Sequence, residues 1–386
     1  MILKMKILFV ISDSTAHGGT EILAFNVMHK LQEKGIECFM FSRYIYKGDN
    51  SYVLNMSQED FVYYHRLKSS SVNKLMGGKM ANLFLKDVIQ KTAEKLQVDW
   101  IINHTYDLCP AIPTRGNWQT VQIFHWSIKG YEDVLKKFIR KKSLIPFLLS
   151  SLSLNNSIKR WHEAIPRFTR LVSLTKTAYS EIQKAGGLST IDDIFYIPNP
   201  LMYTKPSKVV SSLNNNKIVY VGRLSYEKGV MRLLRIWELI SKKMPDYTLE
   251  IYGDGHAQKD MENYIHSHNL HHVILKGFSS DLKEIYTNSD LCLMTSDTEG
   301  FGMVLIEAMY YGVPCVSFDC PVSPKEIIAD AGIAIPCFDE EMYASRVIEL
   351  LSDKEMLKKY QSKSIERAKD FYIDKVIDLW LEMLKQ

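Results

Sequence analysis

Short apolar runs alternate with amphipathic stretches from the beginning of the chain. Lys6 to Ser12, Thr20 to Lys34 and Cys38 to Arg43 form the first cycle, and their periodicities predict a strand, a helix and a second strand. Because such units build parallel sheets, the pattern favours a doubly wound α/β fold. Further short strands are predicted at Trp100–Asn103, Val121–His125, Leu171–Ser173 and Phe195–Ile197.

A segment rich in proline and asparagine interrupts the pattern in the middle of the chain. Pro198 and Pro200 flank Asn199, and the polar stretch 205–217 follows, a composition typical of a linker. A second series then begins, with a helix predicted over Val230–Lys242 and strands at Ile218–Val221, Thr248–Tyr252, Val273–Leu275, Leu291–Thr295 and Cys315–Phe318. Two doubly wound halves joined by a hinge are expected to face a central cleft.

The length of the chain also favours two domains, since 386 residues exceed what one hydrophobic core usually serves. We predict domains at 1–200 and 201–370. A closing amphipathic helix over 371–386 should follow, with one apolar side made of Ile373, Val376, Ile377, Trp380 and Leu381. No apolar run reaches the roughly 18 residues of a membrane span, and the first strand is too short for a secretory leader, so we expect a cytoplasmic protein.

Charge is distributed unevenly between the two halves. Residues 1–200 carry 26 Lys and Arg against 17 Asp and Glu, a net charge of +9, whereas the remainder carries −5. The basic half predicts an anionic partner, whether membrane, lipid phosphate or nucleic acid. Within it, segment 134–149 interleaves five basic residues with apolar ones. That pattern fits peripheral contact with an anionic membrane and, equally, a solvated helix face followed by core residues.

Glycines at a strand-to-helix turn form the first candidate site. Gly18 and Gly19 follow the first predicted strand and precede its helix. Backbone amides and the positive end of the helix dipole could bind an anion there. A tight turn would use the same glycines.

Two cations form the second candidate site. Arg223 and Lys228 lie between the first strand and the first helix of the second series, at the edge of the sheet where ligands bind in doubly wound folds. Fixed cations could neutralise a diphosphate leaving group without a metal. A surface salt bridge is the alternative.

Two carboxylates bracket a glycine-containing turn in the third site. Glu299, Gly300 and Gly302 follow a predicted strand, and Glu307 lies on the helix that comes next. The glycines would let backbone amides approach a sugar or phosphate, Glu299 could accept hydrogen bonds from sugar hydroxyls, and Glu307 could bind a ribose diol. A hydrolase would need its carboxylates on either side of the scissile bond rather than on one turn.

These three motifs occur in the order G-G-x-E, G-R-x(4)-K-G and E-x(7)-E, and the chain resembles retaining glycosyltransferase family 4, of the GT-B fold, along nearly its whole length. The resemblance implies that Gly18 and Gly19 approach the donor phosphates and that Arg223 and Lys228 hold the diphosphate. Glu299 would contact the donor sugar and Glu307 the ribose. It also implies a closing helix that crosses back to the first domain and further donor contacts at Gly253, Gly277, Phe278, Gly300, Phe301, Gly302, Met303 and Val304.

His125 ends the predicted strand Val121–His125 and matches the histidine that the family places near the reacting sugar, where it stabilises the transition state. Relatives often continue with Asp, Asn or Gly, whereas Trp126 and Ser127 follow here, which puts the acceptor side in doubt. A purely structural histidine is the alternative.

The resemblance implies retaining transfer of a hexose or N-acetylhexosamine from a UDP-sugar to a glycan or polyprenyl-diphosphate-linked acceptor, in bacterial surface polysaccharide or glycoconjugate synthesis. The run 318–328 is similar to polysaccharide transferases that use UDP-sugars, although Ser323 replaces their usual glycine. We expect no nucleic acid partner and, in the absence of an Asp-x-Asp motif, no metal or other cofactor. The six cysteines form no C-x-x-C pair, which argues against zinc and disulfides.

Other functions remain open at this stage. A GT-B-fold UDP-sugar epimerase, a phosphorylase or a non-catalytic nucleotide-sugar-binding subunit would share the donor pocket. A phosphorylase would be a much longer chain. A dehydrogenase built on Gly253-Asp254-Gly255 is set aside because Gln258 occupies the position of its third glycine.

Overall fold

The computed structural model describes residues 5–13, 19–44, 61–63, 69–128, 130, 155–156, 158–188, 194–322 and 324–386. The chain divides into two compact units. One unit contains residues 1–197 together with 377–386, and the other contains residues 198–376. Gly18, Ser323 and segment 134–149 lie outside the described residues.

The first unit contains a seven-stranded parallel sheet in the order β3-β2-β1-β4-β5-β6-β7. Its strands are β1 Lys6–Asp13, β2 Glu37–Tyr44, β3 Phe61–Tyr63, β4 Trp100–Asn103, β5 Gln119–Phe124, β6 Arg170–Ser173 and β7 Ile194–Tyr196. Strand β1 is central, and all of its residues from Ile7 to Ile11 are fully buried. A continuous apolar run is expected where helices cover both faces of a parallel sheet.

Helices of the first unit connect these strands. They are α1 Gly19–Glu33, α2 Ser69–Leu96, a helical stretch at residues 158–164 and α3 Tyr179–Gly186. Short 3₁₀ turns lie at Cys109–Ala111, Ile165–Arg167 and Lys176–Ala178.

The second unit contains a six-stranded parallel sheet in the order β10-β9-β8-β11-β12-β13. Its strands are β8 Lys217–Val221, β9 Thr248–Tyr252, β10 Val273–Gly277, β11 Leu291–Met294, β12 Cys315–Phe318 and β13 Gly332–Ile335. The helices are α4 Val230–Ser241, α5 Gln258–Ser267, α6 Leu282–Thr287, α7 Met303–Tyr310, α8 Pro324–Ile328, α9 Glu340–Ser352 and α10 Lys354–Ala368. Helix α4 packs Trp237, fully buried, into the core of this unit.

The last helix, α11 (Ile373–Lys385), begins in the second unit, and its residues from Ile377 onward belong to the first. Arg170, the first residue of β6, donates from Nη1 to the carbonyl of Met383 at 2.6 Å. The same guanidinium lies over the rings of Trp100 and Phe195, at 5.3 and 5.1 Å from their centres. A cation–π contact and a charge-assisted hydrogen bond therefore fix the end of the helix to the first sheet.

The prediction of an α/β fold with two doubly wound domains is confirmed. Two strands that the pattern did not predict, β3 and β13, lie at the ends of their sheets. Edge strands are often very short, and a run of only three or four residues gives a weak periodic signal. In the part of the chain that the structure describes, no helix combines the length and apolar character needed to cross a membrane.

Candidate active site

Lys228 and Glu299 form an ion pair at the carboxyl edge of the second sheet. The Lys228 ammonium lies 2.7 Å from Oε1 of Glu299, and the two side chains are 17% and 9% exposed. Oε1 also accepts a hydrogen bond of 2.6 Å from the hydroxyl of Ser296. Because a buried charge is costly unless it is paired and hydrogen-bonded, these contacts fix the carboxylate in one position.

The backbone around Lys228 is held against the end of β11. Gly229 has φ +67°, and a Cβ atom there would lie 1.9 Å from the carbonyl oxygen of Thr295. The Thr295 hydroxyl donates to the carbonyls of Lys228 and Gly229, at 3.2 and 3.1 Å. Only glycine permits this close approach, so the K-G pair of the motif places the lysine beside Glu299.

Arg223 lies in a more open position. Its side chain is 60% exposed, and Nη1 is 3.9 Å from the Glu227 carboxylate. Solvent screens such a pair strongly, so the contact contributes little to stability. Of the two predicted diphosphate ligands, Lys228 is thus neutralised within the protein, while Arg223 retains an accessible charge.

The turns after β8, β9 and β10 are joined by backbone hydrogen bonds. Gly222 N–H donates to the carbonyl of Tyr252 at 3.0 Å, and Gly253 N–H donates to that of Gly277 at 2.8 Å. Gly253 has φ +134°, and a Cβ atom there would lie 2.0 Å from the Gly222 carbonyl oxygen. Close packing of two turns accounts for this glycine without a dinucleotide. Phe278, just beyond β10, exposes 76% of its surface.

Helix α7 carries the third motif. Gly302 caps its N-terminus with φ +89°, and Met303 and Val304 form its first turn. Phe301 points its side chain into the core, where its ring meets that of Phe371 edge-on at 5.7 Å. Any donor contact of Phe301 would therefore be made by its backbone.

Glu307 lies on the second turn of α7 and is partly exposed. Burial raises the pKa of its carboxyl to about 7, and a hydrogen bond from Tyr286 opposes the rise. Desolvation disfavours the charged form of a carboxyl group, whereas a hydrogen bond to that form favours it. Without a ligand the carboxyl therefore exchanges its proton near neutral pH.

A histidine pair lies at the carboxyl edge of the first sheet. His125 directly follows β5, and His104 directly follows the neighbouring strand β4. Nδ1 of His104 is 3.1 Å from Nε2 of His125, and the rings stack with centres 5.2 Å apart. Sequence reasoning missed His104. The signal was present, because His104 directly follows a predicted strand, but using that signal requires knowledge of which strands are neighbours.

The residues after His125 are held by helix α3. Ser127 donates to one oxygen of the Glu181 carboxylate at 3.0 Å, and the Ile128 N–H donates to the other at 3.2 Å. The Ser127 hydroxyl also accepts a hydrogen bond of 2.9 Å from the Gly130 N–H, as an N-cap residue does. Ser127, the second residue after His125, is therefore fixed by hydrogen bonds on both sides.

The structure thus brings Lys228 and Glu299 into contact and places Arg223, Gly253 and Gly277 on turns at the same edge of the second sheet. Gly19 is the first residue of α1. The roles that the resemblance assigns to these residues, and to Gly300, remain predictions.

Comparison with known proteins bears on the same residues. Residues 204–368 match the family model described as glycosyl transferases group 1. These residues form a glycosyltransferase group 1 domain. Arg223, Lys228, Glu299 and Glu307 all lie within it, so the two motifs of the second unit belong to the matched region.

Relatives of this domain cover the chain to different extents. An uncharacterised glycosyltransferase of Haemophilus influenzae is 25% identical over 98% of this chain and 99% of its own length. A GalNAc-α-(1→4)-GalNAc-α-(1→3)-diNAcBac-PP-undecaprenol α-1,4-N-acetyl-D-galactosaminyltransferase of Campylobacter jejuni is 26% identical over 55% of this chain and 63% of its own. Together with the group 1 domain, these relatives identify the chain as a transferase enzyme.

A solved structure agrees with the fold. The Anabaena protein Alr3699/HepE, in complex with UDP and glucose, superposes with a TM-score of 0.74, covers 99% of both chains and is 18% identical. At this identity the likeness concerns the fold alone, and it identifies the two-unit architecture as GT-B.

Proposed function

We propose that this chain transfers a hexose or N-acetylhexosamine from a UDP-sugar to a lipid-linked or glycan acceptor, with retention of the anomeric configuration. The observation that carries the proposal is the Lys228–Glu299 pair at the carboxyl edge of the second sheet, inside the group 1 domain. It joins a cation suited to a diphosphate with a carboxylate suited to sugar hydroxyls.

The donor and acceptor classes are inferred from the comparisons. The Anabaena structure holds UDP and glucose, which supports a UDP-sugar donor. The Campylobacter relative is named for a substrate linked through diphosphate to undecaprenol, which supports a lipid-linked acceptor in glycan synthesis.

The proposed reaction needs no protein nucleophile. The bond between the anomeric carbon and the diphosphate oxygen breaks, and the acceptor hydroxyl oxygen bonds to that carbon on the same face of the sugar. The proton of the acceptor passes to the departing diphosphate. Lys228 and Arg223 would stabilise the negative charge that grows on the leaving group, so we propose that they replace a metal ion.

The test is UDP release from a panel of UDP-hexoses and UDP-N-acetylhexosamines, with and without a polyprenyl-diphosphate glycan extract. We expect release that depends on the acceptor, that persists in EDTA and that is specific to one donor. Epimerised UDP-sugar without UDP release would instead identify an epimerase. Donor binding without turnover for any acceptor would identify a non-catalytic subunit.

Lys228→Gln keeps much of the side-chain length and removes the charge. We expect turnover to fall by about 10² or more, as when one transition-state donor is removed. Lys242→Gln is the matched control, because Lys242 is an exposed lysine whose ion pair is with Glu238, four residues away on α4. Lys228→Gln leaves the buried Glu299 carboxylate without its cation. The double variant Lys228→Gln/Glu299→Gln removes that charge and so shows whether the unpaired carboxylate causes the loss of turnover. Full turnover in a folded Lys228→Gln protein would contradict the proposed role.

A further inference from the structure

His104 contacts the proposed catalytic histidine, His125, and has no assigned role. Only 4% of its surface is exposed, and its ring stacks on Phe9 with centres 5.6 Å apart as well as on His125. The contact of 3.1 Å between its Nδ1 and Nε2 of His125 requires one nitrogen to carry a proton and the other a lone pair.

Burial favours the neutral form of both rings. Burial lowers the pKa of His125 to about 4. Burial also lowers the pKa of His104 well below its ordinary value, and the neighbouring His125 adds to the decrease. Each ring therefore carries a single proton, and the two positions of those protons are linked through the shared hydrogen bond.

The ring nitrogen of His104 that does not contact His125 indicates where the protons of the two rings lie. Nε2 of His104 is buried and has no hydrogen-bond partner among the described residues. A buried N–H without an acceptor is rarer and costlier than a lone pair without a donor. The proton of His104 accordingly resides on Nδ1 and is donated to Nε2 of His125.

This arrangement leaves His125 with its own proton on Nδ1. His125 is partly exposed, and in the described part of the chain its ring hydrogen-bonds through Nε2, which accepts from His104. Its Nδ1–H is consequently a hydrogen-bond donor and not a basic nitrogen.

We propose that His104 is a positioning residue that holds His125 in the tautomer with its proton on Nδ1, so that His125 presents a hydrogen-bond donor rather than a base at the carboxyl edge of the first sheet. The kinetic consequence rests on the proposed function, with His125 in the role that the resemblance implies for it. A donor at this position can stabilise growing negative charge and cannot take the proton of the acceptor.

The first test is the tautomer itself, read from ring nitrogen and proton chemical shifts of full-length protein labelled with ¹⁵N-histidine. His104→Phe and His125→Phe assign the two rings. We expect both rings to carry hydrogen on Nδ1 and none on Nε2, near neutral pH. A proton on Nε2 of His104, or a charged ring, would overturn the proposal whether or not the protein transfers sugar.

The second test is kinetic. His104→Phe keeps an aromatic ring between Phe9 and His125 and removes both nitrogens. We expect kcat to fall about five- to tenfold, the factor that one ordinary hydrogen bond represents, with KM for the UDP-sugar little changed and His125 no longer in one tautomer. His104→Asn, which offers an amide N–H close to the position of Nδ1, should recover most of kcat.

These outcomes separate a positioning role from a structural one. Equal losses in His104→Phe and His104→Asn would show that the packing of the ring matters rather than its hydrogen bond, and would contradict the proposal. Unchanged kcat in His104→Phe would do the same. Failure of the wild-type protein to release UDP with any donor would instead count against the proposed function, while the tautomer measurement still decides the role of His104.

Discussion

The buried ion pair between Lys228 and Glu299 gives a reason why the proposed diphosphate site would need two cations. Glu299 already neutralises the Lys228 ammonium at 2.7 Å, so an arriving diphosphate would meet little free charge from that residue. Arg223, exposed and only loosely paired with Glu227, supplies the charge that remains. A lysine ammonium has three donors, so Lys228 can stay bonded to Glu299 and still bind a phosphate oxygen.

If Glu307 binds the ribose as proposed, its carboxyl should make donor binding depend on pH. Its pKa of about 7 lies above the ordinary value, so the group binds a proton in the free protein that it must lose to accept two ribose hydroxyls as a carboxylate. Rising pH removes that proton, and the affinity for UDP-glucose is expected to increase between pH 6 and pH 8. Calorimetry in buffers of different ionisation enthalpy measures both the affinity and the released proton.

Two variants identify the group responsible. Glu307→Gln should bind weakly and without pH dependence. Tyr286→Phe removes the hydrogen bond that favours the charged form, so the pH midpoint should move upward. The test ligand is UDP-glucose and not UDP, because the diphosphate of UDP-glucose does not itself titrate between pH 6 and pH 8. The same pH dependence in Glu307→Gln would show that another group titrates.

At the scale of the elements, the sequence pattern was sufficient to predict interior strands and insufficient to predict a short strand at the edge of a sheet. The predicted strands Trp100–Asn103 and Thr248–Tyr252 match β4 and β9 residue for residue, because each combines apolar with β-branched or aromatic residues, as strands do. The edge strand Gly332–Ile335 is also apolar but was missed, since periodicity alone does not distinguish a short apolar run from a buried helix segment.

Contacts between distant motifs could not be predicted for a related reason. Lys228 and Glu299 are 71 residues apart, and they meet because β8 and β11 are neighbours in the sheet. His104 and His125 meet because β4 and β5 are neighbours. Periodicity fixes which residues form a strand but not the order of the strands, so the sequence could nominate residues at strand ends and could not pair them.

The buried side of the closing helix was predicted in part. Its predicted apolar side holds for Ile373, Val376, Ile377 and Trp380, which are buried, whereas Leu381 is only partly buried. Met383 and Leu384 complete the buried side instead. The spacing predicts the face of a helix, and the neighbouring sheet determines its edges.

Arg170 is expected to hold the end of that helix. Arg170→Leu removes the hydrogen bond to Met383 and the cation–π contacts with Trp100 and Phe195, and we expect a local loss of about 1–3 kcal/mol. Hydrogen exchange measured by mass spectrometry should show faster exchange in peptides from α11, with the second unit unchanged.

Two further variants make the Arg170 test specific. Arg170→Lys keeps the charge but not the planar group that stacks on both rings, and should fall between wild type and Arg170→Leu. Arg346→Leu removes an exposed arginine that pairs with Glu349 on α9, and should have little effect. Unaltered exchange of α11 in Arg170→Leu would refute the assignment.

At the scale of the whole molecule, the opposite charges of the two halves correspond to two chemical tasks in the proposed reaction. The second half is acidic overall, and the two cations proposed to bind the donor are single residues within it: Lys228, which is paired, and Arg223, which is accessible. The basic first half, with a net charge of +9 over residues 1–200, would provide a long-range attraction for the proposed anionic acceptor or membrane surface. Long-range attraction of this kind is screened by salt, whereas a buried ion pair is affected much less.

Membrane association is therefore expected to depend on salt and on the basic segment 134–149. Flotation with vesicles that contain anionic lipid should recover the protein at low salt, and recovery should fall as the Debye length shortens. Replacing the five basic residues between Lys136 and Lys142 with glutamine should reduce recovery by at least tenfold, because each contributes about 1 kcal/mol near an anionic surface. The control replaces five exposed lysines of the second half: Lys242, Lys243, Lys354, Lys358 and Lys359. Equal loss in both variants would attribute binding to net charge alone, and no loss in either would exclude the segment as a membrane contact.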